Sequence, residues 1–478
     1  MNIFYMTSEA SPFIKTGGLA DVSGSLPKEF KKKGHEISVV LPLYGQIPFE
    51  YKEQMEYLGY YFVDLDWRRQ YAGVFKINYD GVNFYFIDNE FYFKRQSLYG
   101  QGDDGERFIF YSKACVQLLR FLDVKLDIVN ANDWHTGLVP LYIKDFARGD
   151  DFYSKIKTAY TIHNIKYQGI FPKDIMSITG LSMDYYNEDG LKYYDGINMM
   201  KAGIVYCDLL TTVSKTYANE ITYPYFGEGL DGIIRKNKHK LVGIINGIDY
   251  DKYNPKKDPL IPYNYSADDL TSKAKNKTDI QKLFNLPVNE NIPMFAMVTR
   301  LVDLKGIDLL DFIISELMEE DIQLVILGTG DRRYEDMLRF YERCFPNKLA
   351  ARIYFDEAQS HKIYAGADFY LMPSIAEPCG ISQLIAMRYG TLPIVRETGG
   401  LRDTVEPYNK YTKEGTGFSF SNINAHELLF TIKDAINLYR NKEDLDTLIK
   451  SAMTRDFSWD VSCDEYLENY KKVLKNKF

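Results

Sequence analysis

Residues 372–401, MPSIAEPCGISQLIAMRYGTLPIVRETGGL, contain the pattern that decides the fold. The stretch begins at the end of an apolar segment, 368–372, which predicts a buried strand that Pro373 ends. A loop with one carboxylate, Glu377, follows, and apolar residues at helical spacing then predict a helix. A second strand, 392–395, leads to a second glycine turn. This alternation is typical of an open α/β sheet, where ligands bind beyond the carboxyl ends of the strands.

The acidic loop and the helix after it have the chemistry of a ligand site. The backbone amides near Ile381 and Ser382, at the start of the predicted helix, favour an anion such as a phosphate. A single loop carboxylate is most often only solvated, so Glu377 alone does not establish a function. Other parts of the chain must decide between these interpretations.

Length and composition exclude several classes of protein. A chain of 478 residues predicts two domains, and an apolar fraction of 45% argues against disorder. No apolar run approaches the ~20 residues that span a bilayer, and the N-terminus does not resemble a signal peptide. The five cysteines are scattered and lack CxxC spacing, which indicates reduced thiols in a cytoplasm. The net charge of −8 disfavours nucleic acid as a partner.

The first part of the chain begins with a strand, 2–7, and a glycine-containing loop, Lys15-Thr16-Gly17-Gly18-Leu19. A strand, a glycine turn and a helix in this order can bind phosphate through backbone amides, and Lys15 adds positive charge. The motif is neither a GxGxxG fingerprint nor a Walker loop, so a plain tight turn is the alternative.

Polar residues follow two further predicted strands. Asp133 comes shortly after the strand 126–130, and His163 directly follows the strand 158–162. Because the carboxyl ends of parallel strands lie at one edge of a sheet, the two side chains are candidates for a common site. Neither residue has metal-ligand spacing, and a structural histidine is the alternative for His163.

One acidic pair resembles a metal motif but is not interpreted as one. Asp64 and Asp66 lie among predicted hairpin strands between 62 and 86. Alternation along a strand would place both carboxylates on one hydrated face. The sequence therefore predicts no metal site at this pair.

The composition changes near 243–255, where polar and irregular sequence predicts a domain boundary. We expect a first domain over 1–243, a second over 244–456, and a helix over 457–478 that packs back on the first domain. Strands of the second domain are expected near 293–299, 323–328, 352–355, 368–372 and 392–395. Arg300 and Lys305 follow the first of these strands and could bind a diphosphate, although an exposed basic loop is the alternative.

Taken together, the motifs resemble bacterial glycogen synthases and plant starch synthases, a family of glucosyltransferases. They occur in one order along nearly the whole chain: KTGGLADV at 15–22, NDWHTGL at 132–138, TIHN at 161–164, NGID at 246–249, TRLVDLKG at 299–306, PSIAEPCGISQLIAMRYGTLP at 373–393 and TGGLRDTV at 398–405. The resemblance implies an α/β protein of the GT-B type, in which two Rossmann-like domains face each other across a deep cleft. It implies transfer of glucose from ADP-glucose to the non-reducing end of an α-1,4-glucan with retention, without a metal or other cofactor. Donor and glucan are thus the expected partners, with no membrane, in the cytoplasm.

The same resemblance assigns roles to individual residues. The residues expected to act in catalysis are Glu377, His163, Asp133, Arg300 and Lys305. The residues expected to bind substrate are Lys15, Gly17, Gly18, Asp21, Asn246, Phe355, Gly380, Ile381 and Ser382. Within these sets, Phe355 would stack on the base, Asp21 would lie near the sugar, and the cations and amides would hold the diphosphate.

The chain departs from the wider superfamily at Ile385, where a second glutamate often binds the nucleotide ribose. Ser374-Ile375-Ala376 is also less usual than the basic–aromatic pair of the family. The alternatives are another GT-B glycosyltransferase with a different sugar nucleotide or acceptor, a dinucleotide-dependent oxidoreductase, and a non-catalytic glucan-binding module. The missing GxGxxG disfavours the oxidoreductase, and the cationic loops disfavour the binding module.

Overall fold

The computed structural model describes residues 1–476 and divides into two compact units. The first unit comprises Met1–Gly247 together with the chain that begins at Trp459, and the second comprises Ile248–Ser458. Each unit is an α/β structure with its own sheet.

The first unit contains twelve strands and eleven α-helices within residues 1–247. The strands are β1 (Asn2–Met6), β2 (Glu36–Pro42), β3 (Glu56–Leu65), β4 (Arg68–Tyr79), β5 (Val82–Asp88), β6 (Ile128–Asn132), β7 (Lys157–Ile162), β8 (Ile170–Pro172), β9 (Lys192–Tyr193), β10 (Gly196–Asn198), β11 (Leu209–Thr212) and β12 (Leu241–Gly243). The helices are α1 (Gly18–Lys32), α2 (Phe49–Lys52), α3 (Glu90–Phe93), α4 (Asp104–Leu122), α5 (Val139–Phe146), α6 (Asp151–Ser154), α7 (Met176–Thr179), α8 (Met199–Tyr206), α9 (Lys215–Glu220), α10 (Pro224–Gly227) and α11 (Asp231–Lys236).

Nine strands of this unit form one sheet in the order β12-β11-β7-β6-β1-β2-β5-β4-β3. The pairs from β12 to β5 are parallel, and β3, β4 and β5 pair antiparallel as consecutive hairpins. The central strands β1, β6 and β7 are buried almost throughout, as expected for parallel strands that are covered on both faces. Their carboxyl ends lie side by side, which brings the loops that follow them together.

The hairpin between β3 and β4 corrects one prediction about the acidic pair. Asp64 lies in β3, whereas Asp66 lies in the turn after it, with φ of 56°. The two carboxylates therefore do not share a strand face, because the turn ends the alternation on which that expectation depended.

The second unit has a six-stranded parallel sheet in the order β15-β14-β13-β16-β17-β18. Its strands are β13 (Met294–Val298), β14 (Gln323–Leu327), β15 (Leu349–Arg352), β16 (Phe369–Met372), β17 (Leu392–Arg396) and β18 (Phe418–Phe420). Its helices are α12 (Lys273–Leu283), α13 (Ile307–Leu317), α14 (Arg332–Cys344), α15 (Glu357–Gly366), α16 (Ser382–Arg388), α17 (Gly399–Thr404), α18 (Ala425–Tyr439) and α19 (Lys442–Thr454). The strand expected at 352–355 ends at Arg352, so Phe355 lies in the loop beyond it.

The helix α20 (Trp459–Leu474) packs within the first unit. The ring of Phe30 in α1 lies 5.9 Å from that of Tyr470, whose hydroxyl donates to Oδ1 of Asn130 at 2.8 Å. Lys33 Nζ lies 2.8 Å from carboxylate oxygens of both Asp460 and Asp464. Apolar, polar and ionic contacts thus all join this helix to the sheet of the first unit. Among residues 1–476, no helix combines the length and the apolar character that crossing a membrane requires.

Candidate active site

The acidic loop of the second unit, residues 373–381, joins β16 to α16 and carries an ion pair. Oε2 of Glu377 lies 2.5 Å from Lys305 Nζ and accepts a hydrogen bond of 3.1 Å from Ser374 Oγ. Glu377 is buried, with 8% of its surface exposed. A carboxylate with so little contact with water requires a compensating cation, and Lys305 supplies it. The structure therefore brings together two of the residues expected to act in catalysis.

Two glycines allow this arrangement because they let backbones approach closely. Gly306 directly follows Lys305 with φ of +69°, and a Cβ there would lie 2.0 Å from the carbonyl oxygen of Pro373. Gly399 in α17 has φ of +45°, and a Cβ there would lie 1.9 Å from the carbonyl oxygen of Glu377. Both positions require glycine for conformation and for space. The motifs LKG, EPCG and TGGL thus form one packed group of loops.

Arg396, the last residue of β17, holds the backbone of the acidic loop. It was not among the residues predicted from the sequence. Its side chain is buried and donates from Nε to the carbonyl oxygen of Ser374 at 2.8 Å and from Nη2 to that of Ile375 at 2.5 Å. These bonds fix the backbone just before Glu377. The sequence feature that could have identified Arg396 is a charged residue at the end of an apolar strand.

The other residues expected to bind the donor lie around this ion pair or beyond it. A pocket of about 20 Å³ is lined by Lys305, Ser374 and Ser382, among others, so the first residue of α16 borders the same space as the lysine. Arg300 is exposed in the same loop as Lys305. Phe355 is 71% exposed and forms no part of the Glu377–Lys305 group. Ile385 is buried within α16, and its apolar side chain offers no polar group to a ribose.

In the first unit, the glycine loop is attached to a second buried carboxylate, Glu9. Its Oε2 accepts hydrogen bonds from the Thr16 N–H at 2.5 Å and from Thr16 Oγ1 at 3.0 Å. Burial raises the pKa of Glu9, and the hydrogen bonds from Thr16 oppose that shift. Lys15 Nζ lies 2.8 Å from Asp21 Oδ1, which joins two of the expected residues. Glu9 was missed, although a carboxylate soon after the first strand was a visible signal.

Asp133 and His163 also meet, at the ends of the neighbouring strands β6 and β7. Oδ1 of Asp133 accepts a hydrogen bond of 2.8 Å from the backbone N–H of His163. Asp133 has φ of 53°, a region that non-glycine residues rarely occupy and that is often found at functional sites. Burial raises its pKa from 3.8 to about 7, against the effect of the N–H donors from His163 and Asn164.

The imidazole of His163 is held in one tautomer by Asn132. The amide nitrogen of Asn132 donates to the carbonyl oxygen of Met6 at 2.9 Å, so its Oδ1 is an acceptor. This oxygen accepts from the Tyr5 hydroxyl and from His163 Nε2, each at 2.9 Å. His163 therefore carries its proton on Nε2 and leaves Nδ1 as an acceptor. Burial lowers its pKa to about 3, so the ring is neutral at pH 7.

A third group at this edge, Tyr99 with Ser8 and His135, was not predicted. The Tyr99 hydroxyl lies 2.8 Å from Ser8 Oγ, and its ring lies 4.4 Å from that of His135. Tyr99 is partly exposed, whereas Ser8 and His135 are buried. Asn246 is also buried, and its Oδ1 has no hydrogen-bond partner within residues 1–476. No hydrogen bond joins Asn246 to the Asp133–His163 pair in that part of the chain.

Comparisons with known proteins identify the family. A model described as "Starch synthase catalytic domain" matches residues 2–236, and one described as "Glycosyl transferases group 1" matches residues 279–453. The glycogen synthase of Finegoldia magna is 56% identical over 99% of this chain and all of that protein. The glycogen synthase of Desulforamulus reducens is 49% identical over all of this chain and 99% of that protein.

A solved structure is similar over nearly the whole chain. The catalytic domain of starch synthase IV from Arabidopsis thaliana, bound to ADP and acarbose, matches with a TM-score of 0.92 and 31% identity over 99% of both chains. The two family models, one on each α/β unit, define a glycosyltransferase. Within that class, the chain belongs to the family of bacterial glycogen synthases and plant starch synthases.

Proposed function

We propose that the chain is a glycogen synthase that transfers glucose from ADP-glucose to the 4-hydroxyl at the non-reducing end of an α-1,4-glucan, with retention of configuration. The observation that carries the proposal is the Glu377–Lys305 ion pair of 2.5 Å. Arg396, at the end of β17, holds the backbone of the acidic loop that carries Glu377. A starch synthase similar over nearly its whole length was solved with ADP, which supports the choice of nucleotide.

In the second unit, Arg300 and Lys305 stabilise the leaving diphosphate. The bond to the sugar breaks with a gain of negative charge on the diphosphate, so fixed cations lower the barrier. The amides of Gly380, Ile381 and Ser382, at the start of α16, would add N–H donors, and Ser382 lines the same pocket as Lys305. Phe355, which is largely exposed, is available to stack on the base.

In the first unit, Lys15 and the amides of Gly17 and Gly18 bind phosphate. A Cβ at Gly17 would meet no atom within 4 Å, so internal packing does not require glycine there. A ligand that approaches the backbone would give the reason for it. Asp21 holds the Lys15 ammonium group in place.

Asp133 and His163 lie beside the glucose and suit a positively charged reacting centre. Loss of the diphosphate gives the sugar oxocarbenium character, which carboxylates and carbonyl oxygens stabilise. A neutral His163 adds no opposing positive charge, and its free Nδ1 can accept a hydrogen bond from a sugar hydroxyl. Asn246, whose Oδ1 has no hydrogen-bond partner among the described residues 1–476, is a further acceptor for substrate.

The proposed reaction requires no metal or other cofactor, because Arg300 and Lys305 supply positive charge for the diphosphate. The partners are therefore the sugar nucleotide and a glucan such as glycogen or a maltooligosaccharide.

The test is to incubate the protein with glycogen and either ADP-glucose or UDP-glucose, and to measure released nucleotide together with chain elongation. We expect faster release from ADP-glucose, with one glucose added for each ADP. The Glu377→Gln variant, which keeps the shape of the side chain, is the matched control and should be nearly inactive. Release without elongation, or no release from either donor, would contradict the proposal.

A further inference from the structure

Arg107, in the first turn of α4, is fully buried although its charge is permanent. Nη1 donates to Asp104 Oδ1 at 2.5 Å, and Nε donates to the carbonyl oxygen of Tyr92 at 2.8 Å. Nη2 has no hydrogen-bond partner among residues 1–476, which adds a desolvation cost. Apolar side chains of the same volume often stabilise a core as well as such a pair does. The role of the pair is therefore better sought in the conformation that it fixes.

That conformation is the loop between α3 and α4, where the pair holds the residues on both sides of Tyr99. Nη1 of Arg107 also donates to the carbonyl oxygen of Leu98 at 3.2 Å. Oδ2 of Asp104 accepts from the backbone N–H of Gly100 at 2.7 Å. With both neighbours fixed, the backbone of Tyr99 has little freedom.

Tyr99 then connects this loop to both parts of the site in the first unit. Its hydroxyl bonds to Ser8, which precedes the Glu9 that holds the glycine loop. Its ring lies against His135, two residues beyond Asp133. A shift of Tyr99 would thus disturb the supports of both groups.

We propose that Arg107 and Asp104 are positioning residues of the transfer reaction, which hold Tyr99 against Ser8 and His135 and so fix the surface that the first unit presents to the sugar nucleotide. This inference rests on the proposed function. Neither residue touches the substrate, and both act through Tyr99.

A double-mutant cycle tests the inference through activity. Arg107→Lys keeps the charge but not the planar fork, and it should lower kcat/KM about tenfold or more. In a Tyr99→Ala background the same substitution should change kcat/KM by less than about twofold, because its effect passes through Tyr99. Asp104→Asn, a second variant of equal volume, should show the same dependence on Tyr99. Equal losses in both backgrounds would show a merely structural role and overturn the inference.

A readout that does not need activity separates this inference from the proposed function. In Asp104→Asn, amide hydrogen exchange in residues 98–102 should become about tenfold faster than in the wild type. The control is Lys240→Met, which removes another buried cation that bonds to two carbonyl oxygens, those of Val205 and Cys207. Lys240 directly precedes the parallel strand β12, so it lies at the amino ends of the strands, whereas the Tyr99 group lies at their carboxyl ends. This variant should therefore lose thermal stability but keep the exchange rate and KM. Unchanged exchange in Asp104→Asn would overturn the inference, whereas a wild type without transfer activity would overturn only the proposed function.

Discussion

The Nζ atom of Lys305 lies 2.5 Å from Oε2 of Glu377, so a buried carboxylate holds the ammonium group in place. A lysine that is held in this way loses little conformational entropy when it meets a phosphate. Preorganised charge of this kind stabilises a transition state more than a mobile side chain does.

Lys305→Ala should therefore lower kcat more than it raises the KM for the donor, because the charge on the leaving group is greatest in the transition state. We expect a loss on the order of 10²–10³ in kcat. Arg300→Ala should behave similarly, and the double variant should lose less than the product of the two factors. Lys433→Ala, which breaks an exposed ion pair with Glu316 in the same unit, is the control and should leave kcat unchanged. A normal kcat in Lys305→Ala would mean that the diphosphate is bound elsewhere.

Two glycine substitutions should change different properties, one the stability together with kcat and the other the KM for the donor. Gly399→Ala would place a methyl group 1.9 Å from the carbonyl oxygen of Glu377, so it should lower both the melting temperature and kcat. Gly17→Ala meets no atom within 4 Å, so it should leave the melting temperature unchanged and raise the KM for the donor about tenfold. Thermal unfolding and steady-state kinetics measure both results. An unchanged KM in Gly17→Ala would remove the glycine loop from the phosphate site.

Arg396→Lys should reduce activity through the acidic loop. An ammonium group cannot replace the two parallel donors to Ser374 and Ile375, so the backbone before Glu377 gains freedom. We expect a loss of about 1–3 kcal/mol in the free energy of unfolding, with a lower kcat. Denaturant unfolding and kinetics of the same preparation test this. A variant that loses stability but keeps its kcat would limit Arg396 to a structural role.

The pKa of Asp133 predicts a specific dependence of stability on pH. Burial raises this pKa from 3.8 to about 7, so the folded state binds the proton more tightly than the unfolded state does. The contribution to stability is therefore fully present below about pH 4 and decreases as the pH rises to about 7, by on the order of 4 kcal/mol. Asp133→Asn removes this dependence, so the variant should gain stability relative to the wild type between about pH 5 and pH 8. A difference in unfolding free energy that does not change with pH would show that Asp133 is ionised throughout.

Activity should persist in EDTA, since the cations of the loops can neutralise the diphosphate. The measurement is ADP release with and without the chelator, after extensive dialysis. Complete loss of activity that added Mg²⁺ restores would replace the proposed mechanism by a metal-assisted one.

Features carried by local sequence patterns were predicted well. The strands around residues 368–396, the helix after Gly380 and the polar residues after β6 and β7 all follow from short periodic segments and their end signals. The strand expected at 352–355 was placed three residues too late, because the apolar run Leu349–Ala351 was not recognised as its beginning.

The supporting residues could not be predicted in the same way. Glu9, Tyr99, Arg107 and Arg396 bond to partners 7, 91, 9 and 22 residues away, which lie outside the pattern of the element or loop around each residue. Each resembles an ordinary polar residue in its local context. Only the fold shows that Glu9, Arg107 and Arg396 are buried and that Tyr99 is partly buried, and burial gives their hydrogen bonds their importance. The Asp133–His163 contact was predictable in part, since the adjacency of the strands suggested that the residues are close but did not establish the hydrogen bond.

The chain leaves its first unit after Gly247 and returns to it at Trp459, so the first unit to be synthesised is the last to be completed. During translation, residues 248–458 can form their whole sheet while α1 still lacks the aromatic rings of α20 that cover Phe30. A nascent chain that stops shortly before residue 459 would expose this apolar surface and leave Lys33 without its two carboxylates. Quality control that recognises exposed apolar surface would therefore distinguish chains that contain α20 from chains that stop before it.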